Sequence, residues 1–322
     1  MKAKRISAVL LATLLLLSGC GTVQTSAYTP PVPALPAVAE AAPETERSVL
    51  APEGSYVTPP FEESEFHRDK AQGKAGAWFD VSAAEYGYIG VSAESDKRLK
   101  CLVVCGDETY IYDLAGDGTP SIFPLTCGDG DYSVRIMENV TGTKYAEKAS
   151  LPFTVKLKSE FAPFIRPSDY VNYTKESECV KIAEGLAVKA KDENDVVLAV
   201  YDFICGAIRY DRDKANSVQS GYVSDPDETL RTGKGICLDY AALAAAMLRS
   251  QGIPTKMIFG HVSPGDVYHA WNMFYTEKTG WVTVSFVTGS DGWTRMDATF
   301  AAGGASAEYI GDGSNYADLY IY

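Results

Sequence analysis

The stretch GKGICLDYAALAAAMLRSQGIPTKMIFG, residues 233–260, constrains the fold more than any other part of this chain. Leu238, Ala241, Ala242, Ala245 and Leu248 fall on one helical stripe, and Leu243 and Met247 add apolar surface on the other side. A helix apolar nearly all round must be buried, and its alanines let a sheet or a second helix approach closely. Gly233 and Gly235 permit a tight turn ahead of it, Gly252 suits the position just past its end, and Pro254 prevents continuation. Cys237 falls at or beside the first helical residue. The unpaired N–H groups there favour a thiolate. The competing reading is an inert core cysteine, since free Cys is among the most buried residue types.

The N-terminus decides where such a helix would work. Lys2, Lys4 and Arg5 precede an apolar run of 12 residues, Ile6 to Leu17. That suits a signal peptide and is too short to span a bilayer. The run ends in Leu17-Ser18-Gly19-Cys20, which resembles the lipobox of bacterial lipoproteins. The resemblance implies that residues 1–19 are removed, that Cys20 is lipidated, and that the mature protein is extracytoplasmic and membrane-anchored. An ordinary secretory signal is the alternative. Without residues 1–19, 26 basic residues face 42 acidic ones, a net charge of −16. That balance excludes electrostatic binding of nucleic acid and leaves membrane attachment to the acyl chains. Residues 20–74 are rich in Pro, Ala, Ser and Glu without hydrophobic periodicity, and are expected to form a disordered tether with His67 as a solvated bystander.

Residues 75–158 change character. WFDVSA, GYIGVSA, LKCLVVCG, ETYIYDL, SIFPL, DYSVRIMENV and LPFTVKL are β-rich runs separated by Gly, Asp and Asn clusters. They predict a small all-β sandwich, read as a spacer or a carbohydrate- or peptide-binding module. Of seven cysteines, Cys101, Cys105 and Cys127 share this region, where one disulfide fits; Cys179 and Cys205, on two predicted helices, are a second candidate pair. There is no CxxC, and the histidines are His67, His261 and His269, so neither a zinc site nor a cofactor is expected.

A connector, residues 159–172, leads to a helical half. Cys179, Ile182, Ala183, Leu186 and Ala187 recur at helical spacing, Asp192 and Asp195 open a second helix, and Asp225-Pro226-Asp227-Glu228 reads as a helix start. Strands are expected over 255–260, 268–275, 281–286 and 293–300. Helices followed by an antiparallel meander give an α+β domain over 173–322, preceded by the sandwich.

A thiol nucleophile needs a base, and the base needs an acceptor that fixes its tautomer. Downstream of Cys237 the bases are His261, in a loop-like GHVSPGD, and His269, on a strand within an aromatic patch that favours a fixed orientation. Asp297, in MDATF, is the natural third member; Asp291 competes from a Gly-flanked turn. Trp271 is expected to wall the cleft beside His269, with core packing as the alternative.

GKGICLDYAALAAAMLRSQGIPTKMI, YHAWNMFY and WTRMDATF, in this order, resemble the transglutaminase-like superfamily, with its papain-like Cys-His-Asp core. The resemblance implies Cys237 as nucleophile, His269 as base and acid, and Asp297 as its orienting partner. It also implies helices packed on an antiparallel sheet. Two departures stand out: Ala298 occupies a position where the family commonly has proline, and VTVSFVTGSDG lengthens the interval between His269 and Asp297. The Cys237 N–H is one expected oxyanion donor. In relatives a second comes from an upstream side chain, for which Tyr222 and Tyr210 are the candidates. The expected activity is acyl transfer, deamidation or hydrolysis at protein or peptide amides through a Cys thioester. A cysteine peptidase acting on surface or wall peptides, or a non-catalytic scaffold or binding module retaining the fold, are the alternatives.

Overall fold

The computed structural model describes residues 54–219, 221–262, 267–283 and 316–322. Eight strands come first: β1 (Gln72–Lys74), β2 (Ala77–Asp80), β3 (Tyr88–Ala93), β4 (Leu99–Cys105), β5 (Glu108–Leu114), β6 (Ser121–Pro124), β7 (Gly130–Thr141) and β8 (Lys144–Val155). They build two four-stranded antiparallel sheets, ordered β1-β2-β3-β6 and β5-β4-β7-β8. Alternation makes them a sandwich: along β4, Leu99, Cys101, Val103 and Cys105 are buried while the residues between them are half-exposed. Their inward side chains join Phe79, Ile89 and Val91 of the other sheet in one apolar cluster. All seven runs read as strands are strands, and Cys105 bonds Cys127. The thiols of Cys179 and Cys205 are not disulfide-bonded.

The second half contains α1 (Glu178–Ala187), α2 (Glu193–Ala207), β9 (Arg209–Tyr210), α3 (Arg212–Ser217), α4 (Pro226–Thr232), β10 (Lys234–Gly235) and α5 (Cys237–Ser250). It continues with β11 (Thr255–Val262), β12 (Val267–Thr276), β13 (Gly280–Thr283) and β14 (Tyr316–Ile321). The last four form an antiparallel sheet, ordered β13-β12-β11-β14, while β9 and β10 pair in parallel. Helix α5 is buried from Leu238 to Ser250, with α1, α2 and α4 about it and β11 and β12 beside it. Asn272 of β12 donates to the Ala241 carbonyl at 3.0 Å, a contact that small residues on α5 permit. Asp225 caps α4 through the N–H groups of Asp227 and Glu228, with Pro226 in the first turn. Asp227 in turn accepts the Glu178 and Cys179 N–H groups at 3.0 and 2.9 Å, so α4 caps α1.

Three expectations change. Residues 54–74, assigned to the tether, lie against the fold: Tyr56 Oη donates to the Gln251 carbonyl, Phe61 packs edge-on against Tyr173, and Glu62 pairs with Arg166 at 3.0 Å. His67 is no bystander; its N–H donates to the buried Asp80 carboxylate at 2.7 Å and its Nδ1 stands 3.3 Å away. The connector is a packed wedge, with Phe164, Arg166 and Val171 buried and Phe161 against Tyr275. The two halves consequently share one core, in which Tyr112 of the sandwich meets Tyr170 and Tyr322 at 5.7 Å. The expected strand 293–300 lies outside the described residues, as do residues 1–53, and the edge strand beside β11, opposite β12, is β14, which falls outside the strands expected from the sequence.

Candidate active site

Cys237 is the first residue of α5, where the expectation put it. Two features make that turn. Gly233 adopts φ +62° and closes α4, donating its N–H to the Thr229 and Leu230 carbonyls. A Cβ on Gly235 would stand 2.6 Å from the Asp239 Cβ, so only glycine fits there. Asp239, in the third helical position, accepts the Ile236 N–H at 2.8 Å while its own N–H donates to the Ile236 carbonyl. That backbone–carboxylate reciprocity fixes the orientation of the peptide preceding the thiol.

Cys237 opens into a cavity of about 500 Å3. Its lining includes Tyr170, Tyr210, Tyr222, Phe259 and Tyr268, with His269 and Ala270 of β12. Burial, then Tyr320 and Cys237, hold the Tyr268 hydroxyl above its usual pKa. His269 is buried at 4 % exposure and stacks on Trp271, ring centroids 6.3 Å apart. Burial pushes its imidazole pKa down from 6.5 to about 3, so it is neutral across the physiological range. The folded value lies below the unfolded one, so the unfolded chain takes up a proton that the folded chain does not. Stability from this group is complete above about pH 6.5 and falls towards pH 3, by up to about 1.4 kcal/mol per pH unit. Urea titrations between about pH 4 and 7 are expected to show a flatter pH dependence for His269→Gln than for the unsubstituted protein. Parallel curves for the two proteins would remove this assignment.

The other sequence candidates separate. Tyr210 lines the cavity and is 37 % exposed. Tyr222 lines it too, but its hydroxyl donates to Asp239 Oδ1 at 2.7 Å and accepts from Lys214 Nζ at 2.6 Å. Its single proton is committed to Asp239. Trp271 is core rather than cleft wall: it is 1 % exposed and packs with Ile258, Met273 and Ile321 beneath His269. His261 remains inside β11, edge-on to Tyr268. Asp297, Asp291 and Cys20 lie outside the described residues.

Sequence reasoning missed Asp239 and Lys214. Asp239 is fully buried and takes four hydrogen bonds: Ile236 N–H, Lys214 Nζ at 2.7 Å, the Tyr222 hydroxyl, and the Ser224 hydroxyl at 2.8 Å. Burial opposes the Lys214 charge, yet its bonds to Asp239 and Tyr222 outweigh that and hold its pKa above the usual lysine value. The acid three residues past Ile236 was the available signal.

Residues 180–286 match the family described as the transglutaminase-like superfamily, a span that includes Cys237 and His269 and stops before Asp297. The UPF0252 protein MJ1282 of Methanocaldococcus jannaschii is 33 % identical over 129 residues, covering 38 % of this chain and 36 % of that relative's length. Among solved structures, the periplasmic domain of TgpA from Pseudomonas aeruginosa is 13 % identical with a TM-score of 0.32, covering 78 % of this chain and 76 % of that one. Legionella pneumophila LapG is 16 % identical with a TM-score of 0.31, covering 44 % and 70 %. Red sea bream transglutaminase is 13 % identical with a TM-score of 0.26, covering 70 % and 48 %. Beside its sandwich, this chain carries a transglutaminase-like superfamily domain over residues 180–286.

Proposed function

We propose that this protein is a thiol enzyme that cleaves or transfers protein and peptide amides through a thioester on Cys237. The observation that carries the reading is a single cavity of about 500 Å3 lined by both Cys237, at a helix N-terminus, and His269, on the facing strand. The Cys237 sulfur attacks the amide carbonyl, its proton passing to His269, and the C–N bond breaks as His269 protonates the departing amine. His269 then takes a proton from an incoming amine or water, which attacks the thioester and restores the thiol. Asp297 holds the imidazolium, and the Cys237 N–H with Tyr210 receives the oxyanion. An amine acceptor gives cross-linking; water gives deamidation or peptide hydrolysis.

The same proposal places the enzyme outside the cytoplasm, held by lipid on Cys20 after removal of residues 1–19. The Cys105–Cys127 disulfide supports an oxidising compartment. No helix among the described residues is long and apolar enough to cross a membrane.

Two measurements test the reading. Iodoacetamide is expected to alkylate Cys237 at neutral pH about tenfold faster than an unactivated thiol. A glutamine peptide incubated with a labelled amine is expected to gain label, lose ammonia or be cleaved, and Cys237→Ala to do none of these. An unactivated thiol together with no turnover would leave a scaffold that merely retains the fold.

A further inference from the structure

Asp239 sits where a carboxylate opposes a thiolate. It lies two residues beyond Cys237, in the first turn of α5, and is fully buried, so its charge counters the positive helix end that favours ionised sulfur. The turn nevertheless depends on it through the Ile236 N–H and the close approach of Gly235. Lys214 resolves the conflict. Its Nζ lies 2.7 Å from Asp239 Oδ2 and 2.6 Å from the Tyr222 hydroxyl, and 4.3 Å from the centre of the Tyr222 ring.

We propose that Lys214 is a positioning residue that neutralises Asp239, leaving the N-terminal field of α5 to the Cys237 thiolate and fixing Tyr222 on the cavity wall. The proposal deepens the reading of Cys237 as a working thiol and rests on it. The titratable groups that share the cavity with the thiol are Tyr170, Tyr210, Tyr222, Tyr268 and His269. Tyrosine side chains carry no positive charge in either protonation state, the buried His269 imidazole is neutral, and no lysine or arginine stands among the described lining residues. Lys214 acts from behind that lining, through Asp239.

The test follows iodoacetamide alkylation of the Cys237 peptide by mass spectrometry against pH in the full chain. Lys214→Met is expected to raise the alkylation midpoint by about one pH unit and to slow reaction at neutral pH about tenfold, with the high-pH plateau unchanged within about twofold. Lys214→Arg should restore the midpoint. Lys214→Met combined with Asp239→Asn, which removes both charges, should return it towards the original value. If Lys214→Met does not fold, Lys214→Gln keeps a donor without the charge and should show the same shift.

A loss of packing alone would lower the plateau or the melting temperature without moving the midpoint. A folded Lys214→Met or Lys214→Gln whose midpoint coincides with the unsubstituted protein overturns the proposal. So does a double variant displaced as far as the single one. If the unsubstituted thiol titrates near an ordinary value of about 8.5 and Lys214→Met still raises it, the enzymatic reading fails while the role of Lys214 stands.

Discussion

Arg249→Met is expected to lower the unfolding free energy by about 3–5 kcal/mol, although it touches nothing in the cavity. Arg249 is 2 % exposed, near the end of α5. Its Nε donates to the Thr255 carbonyl at 2.8 Å, Nη1 to the Arg166 carbonyl at 2.9 Å and Nη2 to the Tyr322 carbonyl at 3.0 Å. One guanidinium thereby ties the central helix to the start of β11, to the wedge between the two halves and to the residue after β14. Burial pushes its pKa down to about 10, so it is charged at neutral pH but gains nothing from being charged there. Its stabilisation comes from satisfying carbonyls: the Tyr322 carbonyl keeps the Met257 N–H at 2.7 Å without it, and a carbonyl left buried and unpaired costs about 1–3 kcal/mol. Methionine fills the volume and supplies no donor. Urea denaturation gives the comparison as a shift in midpoint at constant slope. A loss under about 1 kcal/mol would mean that water or a backbone shift replaces all three bonds.

Arg249 also illustrates what the sequence could not disclose. Within GKGICLDYAALAAAMLRSQGIP it reads as a basic residue in the last turn of a helix, a common surface arrangement. Its partners lie 6, 83 and 73 residues away, and only the fold assembles them. Features written in short-range periodicity were legible: α5 from its apolar positions, α4 from Asp225 and Pro226, the sandwich strands from alternation. Polar, long-range features were not. Asp239 stood in view beside Cys237, but Lys214, Tyr222 and Ser224 come from 25, 17 and 15 residues upstream. Residues 54–74 resembled a tether because their anchors are isolated aromatic rings, hydroxyls, a glutamate and backbone groups, which hydrophobic periodicity does not register.

Trp271 failed for a related reason. Alternation correctly puts it on the same strand face as His269, but Trp271 is covered there by Ile258 and by Ile321 of β14, a strand outside those expected from the sequence. Tyr222 was placed correctly on the cavity wall, and only hydrogen-bond bookkeeping around Asp239 shows where its proton goes. Positions in a cleft are therefore readable before the roles of the groups that occupy them.

Asp297→Asn is expected to cost about 10³–10⁴-fold in kcat/KM for whichever amide substrate the protein turns over, with the thiol still present. The argument starts from His269. Burial holds its pKa at about 3, against 6.5 in water. Such an imidazole is unprotonated and able to take a proton, yet burial opposes its holding the thiol's proton as a cation. An acyl transfer through Cys237 needs that proton held on His269 until the amine leaves. A carboxylate hydrogen-bonded to the ring offsets this cost when the ring becomes charged, and asparagine does not. Asp291→Asn, removing the competing carboxylate, should cost no more than about threefold. The comparison is single-turnover acylation of Cys237 across pH for both variants. Equal losses at Asp291 and Asp297, or a negligible loss at Asp297, would mean that His269 finds its counter-charge elsewhere and that the proposed triad is misassigned.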